Sequence, residues 1–461
     1  MRLPVVRFKY WGGKSIASVG MAGRNGLKRD VWSSKMGFVL ASIGAAVGLG
    51  NIWRFPYIAS GNGGIWFLVP YLVCLALVGI PLFLLEAGQG YITNHGFFQS
   101  IEKSRNVPFI KKRLRQAIGL LPVAVNTVIL GYYLAICSWT LWFAVSFLLG
   151  RQPTFASMQA SFTPLAAFVI VFASAVAVVA KGASRGIEPV ADKLVPLLFI
   201  FLSVLFLYSL TIPGAVANVT GLFLTGFDSI FMPRTWYYAL SQVLFSLSVG
   251  YGIMYTYGMH VKSGRQIYQA SWEIAGADTS ASVLAFLAIT GIAASIGISQ
   301  SGLALSFEAL PGFFEGLGII GALLGTSFFV LLFFAAYTSV LAMFAHTRAS
   351  LAFLGREVNA IVYAGLFAVG AVSILSYSPL RLEIFGARVL DVLDFVFGTY
   401  LAPFSALAVV IACAYLLPHR KIAEKIGVPA KYSDAFSFAI SRLVPVALVL
   451  LIIFSHMSGL Y

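Results

Sequence analysis

Charge-free apolar runs recur along the whole chain, at residues 36–53, 55–85, 116–150, 152–180, 194–227, 235–261, 279–307, 316–347, 358–380, 395–419 and 443–461. A bilayer core of about 30 Å takes roughly 20 apolar residues per helix, so each run is a candidate span. A backbone crosses lipid only as a helix or within a closed barrel. Barrel strands would alternate apolar and polar positions, and these runs do not. The pattern predicts an all-α integral membrane protein of about 11 transmembrane helices.

Two runs are irregular. The first reads Gly44-Ala45-Ala46-Val47-Gly48-Leu49-Gly50-Asn51, followed by Arg54-Phe55-Pro56. The sixth reads Gln242 to Gly252, with Ser246, Ser248, Gly250 and Gly252. Either run alone could be small-residue helix packing. Together they add hydrogen-bonding side chains to helix-weakening glycines and sit five helices apart. Interrupted helices at matching places in two halves point to inverted repeats around a central site. The expected organisation is a basic tail (1–35), a first five-helix repeat (36–211), a second repeat with outer loops (212–419), and a connection with an eleventh helix (420–461). Loop 300–316 carries Phe307, Leu310, Pro311, Phe313 and Phe314, and is expected to fold back as a plug. Connections 94–115 and 420–441 are amphipathic and expected to hold short helices.

Charge then orients the bundle. The net charge is +15, which by itself admits a nucleic-acid partner. With the N-terminus inside, however, 26 of the 31 Lys and Arg fall on the cytoplasmic side, leaving Arg54, Arg151, Arg234, Arg381 and Arg388 outside. That is the positive-inside asymmetry: the charge faces anionic lipid, and nucleic acid is not expected. Only 10% of residues are charged and 59% are hydrophobic, far from the roughly 25% charged of soluble domains. Cys74, Cys137 and Cys413 all lie in apolar runs, so no disulfide framework is implied. The basic N-terminus lacks a cleavable apolar core. The expected location is the cell (plasma) membrane, multi-pass, with the N-terminus cytoplasmic.

The segment from Trp32 through Gly44 to Pro56, continuing in Asn62-Gly63-Gly64, Pro70-Tyr71, Gly79-Ile80-Pro81 and Glu86, resembles the first-helix signature of the neurotransmitter:sodium symporter family. Tyr132-Tyr133, Ser138-Trp139, Phe245 to Gly252, Ala335 to Ser339 and Leu390 to Phe395 match as well. The resemblance spans residues 29–461, and the helix count is that of the prokaryotic amino-acid transporter branch. Residues 1–20 precede it and are expected to be dispensable, with Met21 as an alternative start.

The resemblance implies a LeuT-type fold with interrupted helices 1 and 6, and sodium-coupled symport of a small neutral amino acid. One sodium is expected among the Ala46 carbonyl, Asn51, Ser246, Asp278 and the substrate carboxylate. A second is expected among the carbonyls of Gly44, Val47 and Ala335 and the hydroxyls of Thr338 and Ser339. Taken alone, Thr338 and Ser339 read as hydroxyls back-bonded to their own helix. The implied substrate site comprises Ala45, Gly48, Leu49, Gly50, Ile129, Tyr133, Phe245, Ser248, Tyr251, Ser339 and Met343. Gly48 stands where monoamine carriers have Asp, leaving room for a substrate carboxylate beside Tyr133 and the amides of Leu49 and Gly50. The pocket is mostly apolar with one flexible wall, Met343, which suits an aliphatic or aromatic neutral amino acid.

Arg54 and Asp394 are expected to face each other as the outer gate, and Arg29 with Trp32 to form the inner lock. The lock's acidic partner is not in register between Ala345 and Glu357; Glu357 is the nearest carboxylate. Chloride-using relatives have Asn where this chain has Asp278, beside Tyr71, Gln242, Ser246 and Ser282, so no chloride requirement is expected. The expected partners are membrane lipid and the amino acid, in a monomer or a homodimer. A sensor or ion channel of the same fold is the alternative. The five His are scattered and form no catalytic constellation, so no enzyme is expected.

Overall fold

A computed structural model describes residues 30–104, 110–295, 305–417 and 422–457. Arg29 lies outside them.

The first span, α1, is two helices, Lys35–Ala46 and Gly50–Gly61, bent by 50° at their break. Ser34 caps the first half by accepting from Gly37 N, and Val47 ends it in an extended conformation. Then follow α2 (Gly64–Thr93), α3 (Lys112–Leu148), α4 (Thr163–Ala180) and α5 (Ala183–Ser209). The sixth span, α6, is also two pieces, Pro233–Ser246 and Ile253–Met259. The chain continues as α7 (Arg265–Ala293), α8 (Gly318–Leu354), α9 (Asn359–Ser376), α10 (Val389–Leu416) and α11 (Ala430–Met457). Nine continuous helices among the described residues are long and apolar enough to cross a membrane, and bent α1 makes ten. The pieces of α6, Pro233–Ser246 and Ile253–Met259, lie where the sixth of the expected eleven spans falls and are too short to count by that measure.

Boundaries depart from the apolar runs for local reasons. Run 55–85 is not one helix: Phe55–Gly61 belongs to α1, and Gly63 (φ 103°) turns the chain before α2 begins. Helix α5 starts at Ala183, well before the run at 194, because Arg185, Glu188, Asp192 and Lys193 occupy its first turns. It stops at Ser209, and Gly214 (φ 84°) opens a separate short helix, Ala215–Leu224. The connections do carry short helices, Phe97–Lys103 and Ile422–Ile426.

Helices α3 and α8 run along each other at the centre, with Phe143 stacked on Phe329 (centroids 4.6 Å apart). The described part of the plug packs into this centre, with buried Phe307 in ring contact with Trp53, Trp139, Phe143 and Phe155. Outer helices such as α4 and α5 instead leave Ile170, Ile200 and Leu207 exposed. Apolar side chains facing outward at this density need lipid around them. The chain is a multi-pass membrane protein.

Candidate functional site

The interruption of α6 is built from backbone conformations that side chains resist. Gly250 (φ 89°) and Gly252 (φ 83°) are left-handed, where glycine carries no penalty, and Ser248 joins them at φ 52°. Side chains from other helices hold the freed groups. Glu86 of α2 accepts from Gly250 N at 2.5 Å, and Ser405 of α10 donates to Gly250 O at 2.8 Å. A Cβ at Gly252 would stand 2.7 Å from the ring of His346 on α8. The Ser248 hydroxyl donates to Ala45 O at 2.7 Å, tying the break in α6 to the break in α1.

Asp278 of α7 is fully buried at membrane depth, where an ionisable side chain must have partners. Asn51 Nδ2 donates to its Oδ1 at 2.7 Å, Ser246 Oγ lies 2.8 Å from both carboxyl oxygens, and Tyr71 donates to Oδ2 at 3.1 Å. Asn51 also reaches Ser282 Oγ at 2.8 Å, and Gln242 Nε2 donates to Gly50 O at 2.9 Å. Asn51, Ser246 and Asp278, expected around a first sodium, thus meet in one cluster, joined by Tyr71 and Ser282 from the set discussed for chloride.

On the other side of the α1 break, Gly44 abuts Thr338, since a Cβ there would lie 3.0 Å from Thr338 Cβ. Thr338 donates to Phe334 O at 2.9 Å and lies 3.2 Å from Ala335 O; Ser339 Oγ lies 3.2 Å from Ala335 O and 3.4 Å from Ala45 O. A hydroxyl whose proton goes to a carbonyl keeps its lone pairs for a cation. Helix back-bonding and an ion site are compatible here. Both oxygen clusters are of the hard type that alkali cations take from unwound backbone.

Between the two clusters lies a cavity of about 490 Å³ lined by every residue expected of the substrate site. Gly48 lines it where a Cβ would stand 2.8 Å from Ser339 Oγ and 3.4 Å from the Tyr133 hydroxyl. Its lining also includes Arg54, Asp394, Tyr57 and Leu451.

The gate residues border this cavity but do not pair. Ion pairs among the described residues are Lys35–Glu273, Lys112–Glu102 and His260–Asp30. Arg54 instead donates to Gln242 Oε1 at 2.7 Å and Ser241 Oγ at 2.9 Å, and its guanidinium lies 5.2 Å from the Phe245 ring centroid. At the opposite end Trp32 is 1% exposed and donates from Nε1 to Tyr257 O at 3.0 Å. Of the expected lock, Glu357 is exposed and Arg29 lies outside the described residues, while the segment before α1 docks on α5. Ser33 N donates to Glu188 Oε2 at 2.8 Å and Ser33 Oγ bonds Glu188 Oε1. The Asp30 carboxylate accepts from Ala183 N at 2.7 Å and from Ser184 N and Oγ. Partial burial alone would raise its pKa, but these donors and the charge of His260 bring it below the usual carboxylate value.

Sequence reasoning missed Glu188 and Asp30 as docking residues, His346 beside Gly252, and Asn126. Asn126 is 1% exposed on α3 and lines the cavity. A lone Asn at mid-span was the available signal.

The profile of the sodium:neurotransmitter symporter family matches residues 29–155 and 154–459. The uncharacterised sodium-dependent transporter YhdH of Bacillus subtilis is 30% identical over 454 residues, 93% of this chain and 98% of its own. The mouse sodium-dependent neutral amino acid transporter B(0)AT3 is 30% identical over 265 residues, 49% of this chain and 41% of its own. Among solved structures, MhsT in complex with L-phenylalanine matches with a TM-score of 0.80 at 28% identity, covering 92% of this chain and 99% of that one.

Proposed function

The chain belongs to the sodium:neurotransmitter symporter family, and on that premise we propose that it imports a neutral, hydrophobic amino acid by sodium-coupled alternating access, without a chloride requirement. The family is one of transporters, not enzymes. The observation that carries the reading is the gap at Gly48. It lies beside the Tyr133 and Ser339 hydroxyls, between an oxygen cluster on Asn51 and Asp278 and another on Thr338 and Ser339. A zwitterion needs such a slot: donors for its carboxylate, cations close by, and no fixed negative charge inside the slot. MhsT binds L-phenylalanine and B(0)AT3 is a neutral amino acid transporter, and Ile129, Phe245 and Met343 offer an apolar wall for such a side chain.

Two sodium ions fit the two clusters. Chloride does not fit the first, because Asp278 supplies the negative charge. Two anions about 4 Å apart repel by roughly 4 kcal/mol at an effective dielectric of 20. The Arg54 end of the cavity faces outside on this reading, and the Trp32 end faces the cytoplasm.

Uptake into proteoliposomes tests the proposal. Sodium should be required and choline should not replace it, gluconate should replace chloride without loss, and Thr338→Ala with Ser339→Ala should abolish the sodium response. Asp278→Asn should introduce a chloride requirement. Sodium-dependent binding without uptake would favour a sensor. Uptake unchanged in choline would end the symporter reading.

A further inference from the structure

We infer that Asn126 reads the substrate's side chain and selects aromatic amino acids that carry an N–H or O–H donor on the ring. This rests on the proposed amino-acid site and names its substrate class.

Asn126 stands one turn before Ile129 on α3, and both line the cavity with Met343 of α8. Its Nδ2 donates to Met343 O at 3.1 Å and to Thr347 Oγ1 at 3.0 Å. A backbone carbonyl only accepts, so the nitrogen must face Met343 and the orientation of the amide is fixed. That leaves Oδ1, buried and without a hydrogen-bond partner. The adjacent hydroxyls cannot supply one. Thr127 gives its proton to Val123 O at 2.6 Å. Thr347, 3.1 Å from Thr127 Oγ1, accepts from Asn126 and can direct its own proton to Thr127. Buried acceptors are rarely left unmatched. A donor brought by the substrate satisfies Oδ1.

Depth decides which donor. Tyr133, beside the carboxylate slot, lies two turns from Asn126 on the same helix, about 10 Å at 1.5 Å per residue. The hydroxyl of serine or threonine sits too close to the carboxylate to bridge that span. A phenol O–H or an indole N–H sits at the far edge of a ring, and Ile129 and Met343 provide apolar surface for the ring itself. Phenylalanine and leucine fill the same space and leave Oδ1 unmatched. Sites built around a substrate hydrogen bond discriminate against the analogue that lacks it far more sharply than apolar pockets discriminate by shape.

The test is sodium-dependent binding to the purified full chain, using two matched pairs: tyrosine against phenylalanine, and tryptophan against its benzothiophene isostere, which lacks the N–H. In each pair the donor-bearing member should bind about tenfold more tightly or better. Asn126→Leu, which has no acceptor, should bring both ratios within about threefold while phenylalanine binding stays sodium-dependent. Equal binding within each wild-type pair overturns the inference even if the variant does not fold, and leaves the symporter reading standing. Ratios unchanged in Asn126→Leu overturn it as well. Failure of every amino acid to bind in sodium removes the symporter reading, and this inference with it.

Discussion

The two ends of the bundle are bounded by different means. At the Trp32 end the short segment 30–34 covers the bundle, and much of its contact is through backbone: Trp32 N to His260 O at 2.9 Å, Ser33 N to Glu188, and Lys262 Nζ to Ser33 O at 2.6 Å. A buried indole fills the centre. At the Arg54 end the boundary is made of single side chains, and it stands open. Arg54 and Asp394 border one cavity without pairing, and Phe245 is 37% exposed. A seal of many buried contacts releases as a unit. On the proposed reading, a gate of one guanidinium and one carboxylate would close by rotamer changes alone. On the same reading, the larger energetic step of the cycle is expected at the Trp32 end.

That contrast can be broken experimentally. Trp32→Ala should have the largest effect: truncating a fully buried Trp costs about 3–5 kcal/mol, here charged to the sealed state. Uptake should fall by well over tenfold, and thiol reagents applied from the Trp32 side should reach cysteines placed around the α6 break. Wild-type uptake would show that the segment is not the seal. Glu188→Ala strands Ser33 N and should weaken the same state by about 1–3 kcal/mol, seen as partial labelling from that side. Arg54→Ala should slow uptake by about tenfold while equilibrium sodium-dependent binding changes little, as expected of a group needed for closure (about 1.4 kcal/mol). Equal losses of binding and uptake would place Arg54 in the site instead. Lys35→Ala removes an ion pair whose side chains are 33% and 43% exposed, and should change uptake by less than a factor of about five. The smallest effect is that of pH on Asp30. Its carboxyl is held below the usual value, so its contribution to docking is fully present above about pH 4 and is lost only as pH falls through the lowered pKa. Labelling from the Trp32 side that rises between pH 8 and 6 would point to another group.

The breaks in α1 and α6 were legible because glycine and small polar residues are anomalous in an otherwise apolar run. The residues grouped by the resemblance do come together in space, and Phe307 announced the plug by being apolar in a loop. Three things were not legible. The docking partner of segment 30–34 lies 155 residues away at the start of α5, and no spacing rule connects Ser33 with Glu188. The Arg54–Asp394 relation depends on the conformation adopted, while one sequence encodes several. The start of α5 was hidden by charges in its first turns, where helix ends reach the headgroup region and apolar runs stop too early.

Ser339 has an evolutionary consequence. Its hydroxyl stands within 3.4 Å of Ala45 O and against the Gly48 gap, so on the proposed reading one oxygen serves both ion and substrate. Changes there alter diet and driving force together, and a lineage shifting its nutrient has little freedom at that position. Asn126, Ile129 and Met343 line the cavity away from either oxygen cluster. Drift at those three positions can retune what is carried while leaving intact the coupling that powers it, so new specificities should arise there first.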